Sequence, residues 1–377
     1  MKLPNHLKDH SPENGIGWVM KKIPNFLSAI CGLSLIATSS LHAADLPRPD
    51  GKPADLSKPV KVFILMGQSN MLGFGKIAGD KPGTLEHAVK TENLYPFLVD
   101  DDGNWTVRND VRNVRVQVGR GGGMGVHNNE FLTIKGKAIG PEIGIGHHLG
   151  NLIDEPVMLL KSCIGNRSLG WDLLPPGSEG FEFAGKDKKT GKEVTWQYAG
   201  YKQSPAKWEK GTEPQAIGWY AGKQYDDDIA NAKKVLEELN QYYPDAKGYE
   251  VAGFFWWQGD KDRYDEGHAS RYEANLVNLI KALRKEFNAP DAPFVCATLG
   301  QTKKGDGGND GMILNAKMAV DGESGKYPEF KGNVATVYAN PLSQGGASNG
   351  HYVGNARTYM DVGLGMGEAM VKLLQGK

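Results

Sequence analysis

The chain has 377 residues, 40% of them hydrophobic and 23% charged, which suits one large domain or two ordinary ones. Lys plus Arg and Asp plus Glu each total 44, so the formal net charge is zero and the general electrostatic case for a nucleic-acid binder falls away. The 50 Gly and 20 Pro call for many long, shaped loops, yet are too few for a low-complexity chain.

The first stretch reads as an address. Met20-Lys21-Lys22 precedes the apolar run IPNFLSAICGLSLIATSS and the small-residue zone LHAAD, which predicts a signal peptide starting at Met20 and cleaved near Ala43 or Ala44. Residues 1–44 are therefore an N-terminal extension plus leader, residues 45–57 a linker, and the expected destination is secreted or periplasmic. A retained membrane anchor is the alternative, but the apolar run falls short of the roughly 20 residues a spanning helix needs. No membrane span is expected after cleavage. Cys31 has no small residue just before it, which argues against a lipoprotein. Cys163 and Cys296 remain; each falls in or at the end of a separate predicted strand, so both are expected to be buried free thiols outside any zinc site.

Beyond the linker the chain alternates. An apolar run at 61–66 (KVFILM) predicts a first strand that breaks into Gly67-Gln68-Ser69-Asn70. Residues 75–140 follow as an insertion with short β-like pieces around NWTVRNDVRNVRVQV. A helix is expected over 141–153, opened by Pro141, and a second strand over 156–162 (PVMLLKS). The second insertion, 165–226, is rich in Gly and aromatic residues and carries a turn pair, Thr190-Gly191, that predicts a hairpin. Helices over 227–243, 269–287 and 353–375 have apolar residues at three- and four-residue steps. They alternate with strands at 250–257 (EVAGFFWW), 293–299 (PFVCATL) and 333–339 (NVATVYA). Apolar runs without alternation suit strands buried on both faces, so the expectation is a five-stranded parallel sheet. The fold class is α/β, an α/β sandwich with right-handed crossovers, in one domain of about 58–376.

In such sheets reactive groups gather beyond the carboxyl ends of the strands. Those ends carry GQSN, SCIGNRS, QGDKD and, after the fifth strand, GHYVG. Serine hydrolysis needs a hydroxyl, an imidazole to activate it, a carboxylate to orient the imidazole, and donors for the oxyanion. Ser69 is the candidate nucleophile; helix capping is its plainer alternative, and Gly67-x-Ser69-x-Met71 is not the G-x-S-x-G elbow. Among the histidines, His351 follows the fifth strand on the side where Ser69 belongs, and His268 is the second choice. His147 and His148 fall inside a helix, His87 and His127 in an insertion. Asp260 or Asp262 supplies the acid. Gln258, Gly165, Asn166 and the Ser69 N–H are the oxyanion candidates; Gln68, Asn70, Arg167 and Trp257 are candidates for substrate contact.

Gly67-Gln68-Ser69-Asn70-Met71, Gln258-Gly259-Asp260 and Gly350-His351-Tyr352, in that order, resemble the sialate O-acetylesterase-like domain, allied to carbohydrate esterase family 6 within the SGNH-type hydrolases. GPEIGIG at 140–146 and KSCIGNRSL at 161–169 add to the likeness. The resemblance implies a three-layer α/β/α fold, Ser69 as nucleophile, His351 as base, and removal of O-acetyl groups from sugars with no cofactor or metal. Three positions depart from the family pattern. Trp257-Gln258-Gly259-Asp260 stands where His-Gln-Gly-Glu is common, Ser348 stands where an Asp often precedes the histidine by three residues, and Asn166 replaces a glycine. Asp260 is accordingly the first choice of acid, with Asp262 the alternative.

The second insertion holds Trp171, Trp196, Trp208 and Trp219 among Tyr198, Tyr201, Tyr220 and Tyr225, which suits either a sugar-stacking surface or a small core of its own. The expected partner is an O-acetylated carbohydrate, and the competing reading is a catalytically silent carbohydrate-binding protein on the same scaffold.

Overall fold

The architecture is described by a computed structural model covering residues 46–119, 122–187 and 189–376. These residues fall in one compact unit, His42–Lys377; the leader, its cleavage site and Cys31 lie outside the described residues. In chain order the strands are β1 (Val60–Gly67), β2 (Gly75–Lys76), β3 (Val107–Val118), β4 (Met124–Thr133), β5 (Ala138–Ile139), β6 (Val157–Ser162), β7 (Phe181–Lys186), β8 (Glu193–Tyr198), β9 (Lys207–Glu209), β10 (Tyr249–Trp257), β11 (Phe294–Ala297) and β12 (Val334–Val337). The helices are α1 (Ser69–Leu72), α2 (Leu85–Lys90), α3 (Glu142–Leu152), α4 (Lys223–Glu237), α5 (Glu266–Ser270), α6 (Tyr272–Glu286), α7 (Gly308–Val320) and α8 (Ala356–Gln375).

The main sheet runs β12-β11-β10-β1-β6-β3-β4. All its pairs are parallel except β3 with β4. The five expected strands lie side by side in it, with β12 as one edge, and helices cover both faces. On β1, Val60, Val62, Ile64 and Met66 pack with Ile229 of α4, Leu276 of α6 and Ile313 of α7. Phe63 and Leu65 face the other way, toward Ile143 of α3 and Met360 of α8. Two-sided burial is why these strands read as unbroken apolar runs.

The sheet has seven strands rather than five. β3 and β4 come from the first insertion, and β3 lies in register beside β6. β3, flanked by β6 and β4, sends Val114 and Val116 to one face and Val111 to the other with Arg and Asn between them, and Val126 of the edge strand β4 is exposed. That pattern resembles a decorated loop more than a buried strand. The helix α7 was also not anticipated, since it opens on Gly308-Asn309-Asp310-Gly311, which reads as a loop. The second insertion folds as a separate antiparallel sheet, β7-β8-β9, with the expected hairpin between β7 and β8. Cys163 and Cys296 are buried and unpaired; burial pushes their thiols up to about 12 and about 11.

From β1 the chain passes to β6 on one side and then returns to β10 on the other. This switch opens a crevice at the carboxyl ends of β1, β6 and β10, where ligands bind in open α/β sheets.

Candidate active site

β1 ends at Gly67, whose φ is +147°; a Cβ there would lie 2.4 Å from the Trp257 carbonyl oxygen. Only glycine lets the ends of β1 and β10 come so close. The single turn α1 follows, with Gln68 at its cap position and no side-chain cap. Ser69 is the first residue of the turn, not its cap, so the capping role is not what the structure shows. Ser69 is 7% exposed. Gly165, in the loop after β6, sits beside it: a Cβ on Gly165 would be 3.8 Å from the Ser69 Cβ. The N–H of Ser69 heads a helical turn, where amides have no partner within the helix.

Hydrogen bonds knit the three motif segments together. Gln68 Oε1 accepts from Gln258 Nε2 at 3.2 Å and from the Lys261 N–H at 3.3 Å. Asn70 Nδ2 donates to the Tyr352 hydroxyl at 3.3 Å, and the Gly300 N–H donates to the same oxygen at 3.1 Å. Ser348 donates from Oγ to Asp260 Oδ1 at 2.6 Å, and Arg263 donates to that oxygen at 3.3 Å. The flanks of Ser69 are thus tied to the segments that carry Asp260 and His351.

His351 begins a left-handed turn with φ of 52°, continued by Tyr352 and Val353. Its ring lies flat on Phe74, 4.0 Å between centroids and 5° from parallel. The ring makes no hydrogen bond with Ser69 or with Asp260 in this structure. Serine, carboxylate and imidazole segments therefore share one rim, while the links from imidazole to hydroxyl and to carboxylate are open.

Two assignments change in detail. Gln258 is fully buried, and its Nε2 faces three acceptors with two hydrogens: Gln68 Oε1, the Arg167 carbonyl at 2.8 Å and Asp262 Oδ2 at 2.6 Å. It has no hydrogen left for an oxyanion, so it is a brace. Asp262 is buried beneath the loop after β6, where it accepts the Leu169 and Gly170 N–H groups at 2.9 and 2.7 Å. Burial raises its carboxyl above the usual range, partly countered by His268 and Gln258. His268 packs edge-on to Tyr198, 5.3 Å between centroids, with its Nε2 buried and unpartnered. Asp262 and His268 thus belong to the support of the loop.

Gln68, Asn70 and Trp257 are likewise buried, and the Trp257 indole donates to the Thr298 carbonyl at 3.0 Å. All three are closed off from solvent in this structure. Asn166 is exposed, and Arg167 is part-exposed, its guanidinium 5.2 Å from the Trp219 ring and bonded to Gln224 at 3.1 Å. Part of the aromatic set builds a small core: Trp171, Tyr201 and Trp208, each partly buried, cover a cluster of Leu174, Ala199 and Ala221. Ser348, Phe74 and Arg263 were not singled out as site residues. The position of Ser348, three residues before the histidine, was the available signal; Phe74 and Arg263 carried none. A groove of about 690 Å³ lined by Lys61, Tyr249 and Pro290 lies at the amino ends of β1 and β10, away from these groups. Among the described residues no trio of His, Cys, Asp or Glu is placed to hold a metal ion, and no helix is long and apolar enough to cross a membrane.

The fold and rim define an α/β/α sandwich with a serine at the carboxyl edge of its central strand. The family comparison agrees with the resemblance read from the motifs: residues 197–372 match the model of the carbohydrate esterases described as sialic acid-specific acetylesterases. The match takes in Gln258, Asp260 and His351, and stops short of Ser69. No curated protein matches the chain. Similar solved structures include a protein from Arabidopsis thaliana, 18% identical, spanning 83% of this chain and 98% of its own, with a TM-score of 0.44. A carbohydrate acetylesterase from Xanthomonas citri is 14% identical over 84% of this chain and 57% of its own, with a TM-score of 0.45. NanS is 16% identical over 78% and 80%, with a TM-score of 0.39.

Proposed function

We propose that the chain is an exported serine esterase that removes O-acetyl groups from carbohydrate, with residues 58–376 as its single catalytic domain. The carrying observation is the set of hydrogen bonds that ties Gln68 to Gln258, Asn70 to Tyr352 and Asp260 to Ser348 around Ser69. In this reading the His351 ring turns off Phe74 when substrate enters, since catalytic hydrogen bonds often tighten only in the complex. It takes the Ser69 proton as the hydroxyl oxygen attacks the acetyl carbonyl. Asp260, with Ser348 beside it, is the anion that favours the imidazolium. The N–H groups of Ser69 and Gly165 and the Asn166 amide receive the oxyanion. The imidazolium returns its proton to the departing sugar oxygen, and water then releases acetate by the same route. The leader motif supports delivery to the periplasm or beyond.

Replacing Ser69 by Ala is expected to lower acetate release from p-nitrophenyl acetate and acetylated xylan by at least about 10³-fold with unchanged circular dichroism. Full turnover by that variant rejects the assignment. The stacked, unbonded state of His351 favours one other reading, a binding protein without turnover. Stoichiometric labelling of Ser69 by a fluorophosphonate supports the esterase; absence of labelling together with retained glycan binding supports the binder.

A further inference from the structure

Lys161 and Glu142 form a buried ion pair that the proposed chemistry does not use. Lys161 stands near the end of β6 and is 2% exposed. Its Nζ meets Glu142 Oε2 at 2.5 Å and donates to the Leu72 carbonyl at 3.1 Å. Leu72 is the last residue of α1, the turn that Ser69 begins. Glu142 opens α3, and its other oxygen accepts the Gly140 N–H at 3.0 Å. Gly140 is itself pressed against the end of α1: a Cβ on Gly73 would lie 2.2 Å from the Gly140 Cα. One ammonium therefore joins β6, the end of α1 and the start of α3.

Such a pair is a poor choice for stability alone. Desolvating two charges costs several kcal/mol per ion, and apolar replacements are often neutral or better. A four-residue helix without a side-chain cap, however, cannot hold its own geometry. We infer that Lys161 and Glu142 are positioning residues, a clamp that fixes the turn bearing Ser69 and so sets where its hydroxyl points. The inference deepens the esterase reading and rests on it for the catalytic consequence. A misplacement of about 1 Å at a reacting atom can cost about 10²-fold in rate.

The test replaces both charges by similar-sized neutral groups, Lys161→Met with Glu142→Gln, which keeps an acceptor for Gly140 and leaves no lone buried charge. The expected result is a melting temperature close to that of the unsubstituted protein, a kcat and a fluorophosphonate labelling rate about 10- to 100-fold lower, and an unchanged KM. A purely structural pair would shift melting and leave kcat per folded molecule alone. Hydrogen exchange in the peptide spanning residues 66–75 reads the turn whatever reaction Ser69 performs. Faster exchange there supports the clamp; exchange and kcat both at the unsubstituted rate overturn it. Faster exchange in a protein whose Ser69 never labels, even unsubstituted, keeps the clamp and removes the esterase reading. Should the double variant not fold, Glu142→Gln alone removes the charge that pairs with Lys161 while keeping acceptors for Lys161 and for the Gly140 N–H. The same exchange and kinetics then decide: a faster-exchanging turn with lowered kcat supports the clamp, and unchanged values of both overturn it.

Discussion

His351, Tyr352 and Val353 carry φ of 52°, 53° and 56° in succession, none of them glycine. The left-handed region crowds Cβ against the following carbonyl at roughly 1–2 kcal/mol per residue. Tyr352 holds the turn in place: it is buried, stacks against Trp257 at 6.0 Å, and its hydroxyl takes two donors. Strain of this kind persists where the surroundings over-determine it, often at functional sites. Val353 is 71% exposed, so its side chain contributes little packing to offset the strain. Val353→Asn is expected to raise unfolding free energy by about 0.5–1 kcal/mol, because Asn tolerates this region better; a urea midpoint below that of the unsubstituted protein would contradict it. Nothing in GHYVG announces the conformation. The backbone of three ordinary residues is bent by what Tyr352 touches, and those partners come from residues 70, 257 and 300.

The inserted sheet β7-β8-β9 is fastened to α5 through one carboxylate. Asp265 caps α5 by accepting the His268 N–H, takes the Tyr198 hydroxyl at 2.6 Å, and pairs with Lys207 at 2.6 Å. Burial alone would raise the Asp265 carboxyl, but His268, Lys207 and Tyr198 outweigh it and bring the group down to about 2. The folded value lies below the unfolded one of about 3.9, so this contribution is complete above about pH 4 and is lost as pH falls through 2. With partial solvent screening it is worth on the order of 1–2 kcal/mol. Asp265→Asn should cost that much at pH 7, and the two stabilities should converge as the pH is lowered from 4 to 2. Equal stability at pH 7 would mean that the fastening contributes nothing. The hairpin itself was readable from alternation and Thr190-Gly191, whereas its attachment was not: Asp265 is 67 residues from Tyr198 in sequence.

A group buried in its neutral form makes the whole molecule sensitive to acid. His147 of α3 lies 4.7 Å from the Phe97 ring, and burial, with Arg108 and His148 adding to it, pushes its imidazole down to about 3. The unfolded chain binds this proton near pH 6.5. Stability from this group is therefore full above that value and lost as pH falls toward 3, by at most about 1.4 kcal/mol per pH unit. Urea titrations between pH 7 and 4 should show unfolding free energy falling more steeply for the unsubstituted protein than for His147→Gln. Parallel curves would mean that His147 is protonated inside the fold.

Whatever depends on local pattern was legible in the order of residues. The five parallel strands from β12 to β6, four of the helices and the rim where they converge follow from apolar runs, periodicity and the topology of parallel sheets, since a strand buried on both faces must be apolar throughout. Strands β3 and β4 escaped because Arg, Asn and other polar residues separate their few buried apolar ones, and α7 because it begins on loop-forming residues. It took the folded chain to sort the polar groups at the rim into those that face open space and those spent on holding it together. Ser69, Asn166 and His351 are left without hydrogen-bond partners on their side chains, while Gln258 and Asp262, chemically just as suitable on paper, are consumed by neighbours from other segments. The reason is that a buried amide or carboxylate must find partners wherever the chain brings them, and the sequence order of those partners carries no mark of the meeting.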